Sequence, residues 1–587
     1  MERSVPEAPK NPKKATITEE YKKNLEFIEE VTSKVEEVQC RVLAEILSQN
    51  AHVEYLQRHN LNGRTDRETF KRVVPIITYE DILPEINRIA YGDKSPILCS
   101  QPISEFLASS GTSGGESKLI PTTEGEVGRR LELFQKLLMS VMSQVAPDFG
   151  KGKGMYFMFI CSEQKTPGGL PARFVSTSNY KSPYFNYSRL HHPHFNHTSP
   201  TATILCSDSY QSMYSQMLCG LRQNQQVLRV GSLFAIGIIR AIRFLEKHWS
   251  LLCNDIRTGT LNTQITDPSQ GIITRLWPNT KYVDAIVTGT MSQYVPTLDF
   301  YSNSLPLVST RYAASECTSG INLNPFCKPT EVSYTLIPTM CYFEFLPYHG
   351  NSGVIDSISM PKSLNEKEGQ QLVNLADVKI GQAYELVVTT YSGLYRYKVG
   401  DVLRVAGYKN NAPQFNFLCR ENVILCVDDE LSNEVELQNA VKNAVDNLMP
   451  FDAHVTEYTS YVDITTIPGH YVLFWELSVK GSTPIPPSIF EDCCLTIEES
   501  LNVLYRQGRA SDKSIGPLEI RVVQSGTFEK LMDYRISLGA SMNQYKTPLC
   551  VKYAPLVELL NSGVVSSYFS PMCPKWFPGY KKWDNTN

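Results

Sequence analysis

The sequence predicts an α/β protein of two domains. A large N-terminal domain carries α/β sheets and a β-rich, barrel-like part, and a smaller α+β domain follows it. Three observations lead there. The chain has 587 residues, and single cores stop growing near ~250–300 residues. Up to about residue 332, apolar runs of strand length alternate with amphipathic helical runs, as in sheets covered by helices. After Val332 the texture turns to short β-rich runs, and beyond "CVDDELSNE" (426–434) helical and strand runs mix again.

Taken in order, Thr16 and Glu19 have the spacing of a capping box. Leu25, Ile28, Val31, Val35, Val38 and Val42 then recur at helical period, so one long amphipathic helix opens the fold. "GMYFMFI" (154–160) and "ATILC" (202–206) read as buried strands, and "DSYQSMYSQMLCGLRQ" and "SLFAIGIIRAIRFLEKHW" as helices. "KYVDAIVTGT" (281–290) and "LPLVST" (305–310) are further strands. "VSYTLIP", "CYFEFLP", "AYELVVTT", "LYRYKVGDVLRVAGY" and "QFNFLC" form the β-rich part, interrupted by a polar surface loop over 348–371. The C-terminal pattern is helix, strand, helix, strand, helix. The expected boundary divides 1–427 from 428–587, with a hinge at "DDELSNE" (428–434).

Composition removes several function classes. The formal charge of −4 gives no basic footprint for nucleic acid or an anionic membrane surface. The longest apolar run, "SLFAIGII" (232–239), is far short of a bilayer span. The N-terminus is charged and has no apolar segment of a secretory signal. Fifteen cysteines without a CxxC pair argue against a disulfide framework or zinc cluster and for a reducing cytoplasm. The sequons at Asn186 and Asn196 are then unglycosylated. "LHHPHFNH", with His191, His192, His194 and His197, lacks acidic or cysteine partners and reads as a solvated loop.

Three motifs carry chemistry. "SSGTSGGESK" (109–118) lies between the strand "ISEFLA" and a run leading into a helix. Ser109, Ser110, Gly111, Thr112 and Ser113 there suit a loop whose N–H groups and hydroxyls wrap phosphate oxygens; a flexible linker is the alternative. It departs from the GxxxxGK[ST] loop, because Glu116 replaces the second glycine. "RYAASECTSG" (311–320) places Glu316 just past the strand "LPLVST", where a carboxylate reaches a ligand or Mg²⁺, or else is a solvated turn residue. "YSGLYRYKVGDVLRV" (391–405) puts Asp401 in a Gly-Asp turn, able to accept two ribose hydroxyls or to serve only the turn.

In this order the three motifs resemble those of the adenylate-forming superfamily, and the whole chain resembles the plant auxin-responsive acyl-acid amido synthetases, most of all their indole-3-acetate branch. "KTPGGLPAR", "RLWPNTKYVDAIVTGTMSQYVPTLDFYSN", "SIGPLEIRVVQSGTFEKLMDY" and "GASMNQYKTPLC" carry that resemblance as well. It implies an N-terminal adenylate-forming domain and a mobile C-terminal one. It also implies an ATP- and Mg²⁺-dependent ligase that adenylates a hormone-type carboxylic acid and passes the acyl group to an amino acid, aspartate first, so lowering free auxin. Lys546 is then a catalytic lysine, Glu316 the Mg²⁺ ligand, and Asp401 the ribose acceptor. The Tyr312–Ala313–Ala314–Ser315 backbone lies along adenine. Val175, Ser176, Ala313 and Thr318 border the acid. The partners are small molecules only.

The chain also departs from that family. Ala314 replaces a serine, Thr318-Ser319 an aromatic pair, Ser176 a leucine, and Leu431 a hinge lysine. Each large apolar side chain exchanged for a hydroxyl removes ~1.5–3 kcal/mol of burial. A largely helical segment is missing between Ser269 and Gly271. Two alternatives therefore stand beside the first reading: an impaired relative that binds nucleotide or acid without turnover, and the same chemistry on a benzoate-, jasmonate- or longer-chain acid.

Overall fold

The computed structural model describes residues 14–577 apart from 114–115, 147–150, 162, 193–194, 256–270, 349–371, 421–422, 428–429, 431, 480–483, 538–546 and 552. The expected surface loop thus falls outside the described residues from 349 to 371, as do the break before Gly271, Leu431 and Lys546. The chain divides into two compact units, 1–107 with 119–420 and 108–118 with 421–587. The predicted class, mixed α/β followed by a smaller α+β part, is the one observed.

The opening apolar stripe is real but its helix is not continuous. Helices Lys14–Ser33 and Val35–Gln49 meet at Lys34, whose φ of −115° leaves the helical region. Ile28, Val31, Val35, Val38 and Val42 are all buried. The first helix starts two residues ahead of the expected Thr16 cap.

Four parallel strands form one sheet of the first unit, in the order Lys153–Phe157, Val227–Phe234, Tyr282–Ile286 and Leu307–Val308. Their near-continuous apolar character is that of strands covered on both faces. The start of "SLFAIGII" belongs to the second of these strands, and its helix runs Ala235–Asp255. "ATILC" is a correction: Thr201–Ile204 is a short helix after Pro200. Its β-branched residues favoured a strand, but a proline-led turn sets the backbone.

The β-rich part is an eight-stranded antiparallel sheet. Its central pair, Tyr397–Lys409 with Ala412–Arg420, sets Asp401 directly opposite Arg420. At the far edge, Arg311–Ala313 pairs with Thr318–Ile321.

In the second unit, strands Ala453–Asp463, His470–Val479, Glu519–Val523 and Val564–Phe569 form one sheet, with the middle pair parallel. Strand alternation separates two cores. Tyr471, Leu473 and Trp475 face one, with Leu437, Cys494 and Ile497, whereas Val472 and Phe474 face the other, with Leu531 and Leu560. The expected five-element pattern missed the first strand and the last, both of which carry exposed polar positions.

Two ion-pair groups brace this unit, one among its helical segments and the start of a strand, the other between neighbouring strands of the sheet. Fully buried Glu498 takes Arg509 Nε at 2.5 Å, the Tyr505 hydroxyl at 3.0 Å and the Leu518 N–H at 3.0 Å. Glu519 accepts from Arg521 at 2.7 Å and faces His470 Nε2 at 3.1 Å. Burial pulls the Glu519 pKa upward, and the bonds from His470 and Arg521 overcome it and hold it at about 2.

Replacing Arg509 by Met leaves the buried Glu498 carboxyl without its guanidinium partner, and denaturant unfolding of the C-terminal unit then shows a loss of ~3–5 kcal/mol. Because the folded pKa of Glu519 lies below its unfolded value, its contribution is present above pH ~4.5 and disappears as pH falls toward 2. Melts across that window show a shallower acid slope for Glu519→Gln than for the unaltered protein.

Candidate active site

The first motif forms a β-hairpin rather than a strand-to-helix turn. Strand Glu105–Ser113 returns through Glu116–Thr122, and a helix begins only at Glu124. Ser109 is buried; the backbone of 110–113 is in the strand, and residues 108–118 group with the C-terminal unit. Glycine and small hydroxyl residues gave the loop signal, and extended backbone on both flanks makes it the end of a ribbon.

Glu316 is also placed differently from its sequence expectation. The chain leaves the parallel sheet at Val308 and joins the antiparallel sheet at Arg311. Glu316 then lies in the connection between the Arg311–Ala313 and Thr318–Ile321 strands, closed by the Ala314 N–H donating to the Cys317 carbonyl at 2.8 Å. Ser319 is the extra residue of a bulge, since Thr318 pairs with Ala313 and Gly320 with Tyr312. Bulges re-aim side chains and recur beside active sites. The Glu316 side chain is 1% exposed, so a solvated turn carboxylate is ruled out.

Asp401 sits within a strand, not in a turn. Gly400 before it has φ +85°, a conformation glycine adopts at no steric cost. This irregularity turns the Asp401 carboxylate inward, where Oδ2 accepts the Tyr312 hydroxyl at 2.6 Å and Oδ1 stands 3.9 Å from Arg420 Nε. Burial pushes the Asp401 pKa up, against the pull of Arg420 and Tyr312. Burial, then Asp401, drives Tyr312 well above the usual phenol range, so its proton stays and donates. The Arg420 guanidinium feels Asp401, Glu316, Tyr397 and Tyr312 together; desolvation disfavours its charge, and the two carboxylates hold it charged.

The structure thus brings Tyr312, Glu316 and Asp401 to one buried place, with Ala313, Ala314 and Ser315 linking the first two. Three neighbours were missed by sequence reasoning. Arg420 is the hub. Tyr397 is buried beside Glu316, and its hydroxyl has no hydrogen-bond partner among the described residues. Arg130 donates to the Ser315 carbonyl at 3.1 Å and the Glu316 carbonyl at 3.0 Å, fixing the connection from behind. Its own partner is buried Glu126, at 3.6 Å. Arg129 and Arg130 open a π-helical turn, Arg129–Phe134, a feature frequent at functional sites. In the sequence "EGEVGRRLELF" this pair looks like the wet face of a helix, because the π turn that redirects it leaves no signature.

Val175 and Ser176 begin helix Val175–Lys181 and are half-buried. Ala313 is exposed and Thr318 half-buried; as directly opposed residues they share one face of the sheet edge. Ser319 is buried, and its hydroxyl lacks a partner among the described residues. Cys317 donates its thiol to Cys341 at 3.3 Å and serves packing there.

Mg²⁺ usually keeps several waters and takes one or two carboxylates plus substrate phosphates. Buried Glu316 fits one such oxygen donor. Among the described residues no group of three acidic, His or Cys side chains is placed to hold a metal ion.

Residues 24–270 and 266–307 match the GH3 family N-terminal domain, 334–420 its central domain and 435–555 its C-terminal domain. The chain belongs to the GH3 family. Indole-3-acetic acid-amido synthetase GH3.6 of Arabidopsis thaliana is 67% identical over 99% of this chain and 100% of the relative. GH3.5 of the same plant, of the same description, is 66% identical over the same shares. The solved AtGH3.15 acyl acid amido synthetase in complex with 2,4-DB is 41% identical, covers 97% of this chain and 100% of that one, and superposes with a TM-score of 0.62. The GH3 N-terminal match breaks at 266–270, and the alignment to GH3.6 runs over 611 positions against 587 residues here. Both agree with a family segment missing before Gly271.

Removing the Tyr312 hydroxyl leaves Asp401 buried with one partner fewer. A double-mutant cycle of Tyr312→Phe and Asp401→Asn, read by urea unfolding, gives a coupling of ~1–3 kcal/mol.

Proposed function

We propose that this GH3 protein is an ATP-dependent acyl-acid amido synthetase acting on an auxin-type acid, with indole-3-acetic acid as the reference substrate. The observation that carries this reading is the convergence of Glu316, Asp401 and Tyr312 around Arg420 in a chain 67% identical to an indole-3-acetic acid-amido synthetase.

The chemistry runs in two balanced steps. A carboxylate oxygen attacks the α-phosphorus of ATP, giving acyl-adenylate and pyrophosphate. The amine of an amino acid then attacks the acyl carbon, giving an amide, AMP and a proton. The first step is needed because a carboxylate is a poor electrophile, and adenylation supplies a leaving group.

The residues divide this work. Asp401 holds the ribose through the oxygen that Tyr312 leaves open. The Tyr312–Ser315 backbone, braced by Arg130, lies along the adenine. Ser109–Ser113 take the phosphates. Glu316 holds Mg²⁺, which when bound neutralises phosphate charge. Lys546 stabilises the charge developing at the α-phosphate, on a body running 428–587 that moves between the two steps. Val175, Ser176, Ala313 and Thr318 border the acid. No described helix is long and apolar enough to cross a membrane. A second reading, ligand binding without turnover, is favoured by the break in the family match at 266–270.

Acid-dependent pyrophosphate release from ATP separates the two. The ligase releases pyrophosphate with acid alone and forms amide only when an amino acid is added; silence across a panel of acids, with nucleotide still raising the melting temperature, favours binding without turnover. Lys546→Ala slows release by ~100-fold or more with an unchanged melting temperature, and an unchanged rate removes that residue's role.

A further inference from the structure

Behind the Arg311–Ala313 strand lies a cavity of about 160 Å³ that the roles above leave unused. Its wall includes Asn179, Tyr180, His197, Asp284 and Arg311 among apolar side chains such as Met158 and Leu138. An engineered cavity of ~150 Å³ holds one benzene ring, so this space admits a single substituted ring or a chain of similar bulk.

Two placements join it to the proposed acid site. Asn179 and Tyr180 stand one helical turn beyond Val175 and Ser176 on helix Val175–Lys181, so the pairs share a face. On the strand, Arg311 and Ala313 point to one side and Tyr312 to the other. Tyr312 faces Asp401, so Arg311 faces the acid. Two residues of strand separate Arg311 from Ala313 by about 7 Å, the length of one substituted ring.

The cavity holds unmet polar capacity. Among the described residues Arg311 makes no side-chain hydrogen bond and has no carboxylate within ion-pair distance. Asp284 is near enough to feel it, but Asp284 Oδ2 already accepts the Tyr156 hydroxyl at 2.5 Å, and burial raises the carboxyl's pKa. His197, expected in a solvated loop, is instead packed 5.1 Å from the Tyr156 ring, and its Nδ1 is buried without a hydrogen-bond partner among the described residues. Burial, with Arg229 and Arg189 nearby, keeps it neutral. A guanidinium facing a ring-sized space whose wall is largely apolar but also carries Asn179, His197 and the Tyr156-bonded Asp284 disfavours a plain hydrocarbon tail and rewards an acceptor.

We propose that Arg311 is a specificity-determining residue that receives a second acidic group at the far end of the acyl acid, so that this chain prefers a ring-sized acid bearing a distal carboxylate over an unsubstituted aromatic acid. The inference rests on the amido synthetase reading, because the reacting carboxylate must lie near Ala313 and Thr318.

The test compares phenylacetate with 4-carboxyphenylacetate on the full-length protein, by calorimetric binding and by kcat/KM for pyrophosphate release. The expected result is at least tenfold tighter binding of the dicarboxylate, lost in Arg311→Leu, which binds phenylacetate as well or better; Arg311→Lys retains part of the preference and serves if the leucine variant does not fold. Equal binding of the two acids by the unaltered protein overturns the proposal, as does binding of neither. So does an equal loss of both in Arg311→Leu, which would put the guanidinium on the reacting carboxylate. Absent pyrophosphate release with measurable, Arg311-dependent discrimination in binding would instead count against the ligase reading and leave the Arg311 assignment standing.

Discussion

A single guanidinium, Arg420, makes it possible to bury two carboxylates in one place. Charge removed from water is costly unless it is paired, and Glu316 and Asp401 are both almost fully enclosed. Their joint burial requires that Arg420 stay among them, and that in turn requires the Tyr397–Lys409 and Ala412–Arg420 strands to keep the register that sets Asp401 opposite Arg420. A slip of one residue would turn Arg420 to the other face. The eight-stranded sheet supplies the register by main-chain pairing, independent of any ligand. The arrangement of these charges is therefore set by the fold itself.

The same constraint explains the supporting parts. Tyr312 lies on the edge strand, where a bulge at Ser319 frees the connection carrying Glu316. Arg130 closes that connection from behind through two carbonyls, so the turn holds its shape without relying on its own short hydrogen bonds. The strand alternation that sends Tyr312 toward Asp401 sends Arg311 and Ala313 the other way. One three-residue strand thus separates the buried Tyr312–Asp401 pair from the cavity that Arg311 lines.

Much of this was legible in the sequence. The apolar periodicity located the opening helical stripe, three of the four parallel strands and the switch to β-rich texture after Val332, because burial on one or two faces writes itself into residue spacing; the strand Val227–Phe234 was missed because its end merges with the apolar run of the following helix. Glu316 and Asp401 were singled out in the sequence and both are buried, yet their settings were misread. A turn residue and a strand residue beside a positive-φ glycine have the same local composition, and only cross-strand register tells them apart. Arg130 and Arg420 were not found at all: each acts through partners far away in the chain, and neither stands in a motif. The His197 ring was read as solvated from its polar neighbours, whereas its surroundings are Tyr156 and Phe195, brought in from another element and from its own loop. Long-range pairing, not propensity, decides all three.

Formation of an acyl-adenylate leaves an isotopic mark on the products. When the acid is labelled with ¹⁸O in its carboxylate and turned over with ATP and an amino acid, one carboxylate oxygen stays with the phosphorus as the amide forms. Adenylation followed by acyl transfer predicts AMP carrying one ¹⁸O atom. Unlabelled AMP, or label appearing in inorganic phosphate beside ADP, would contradict it.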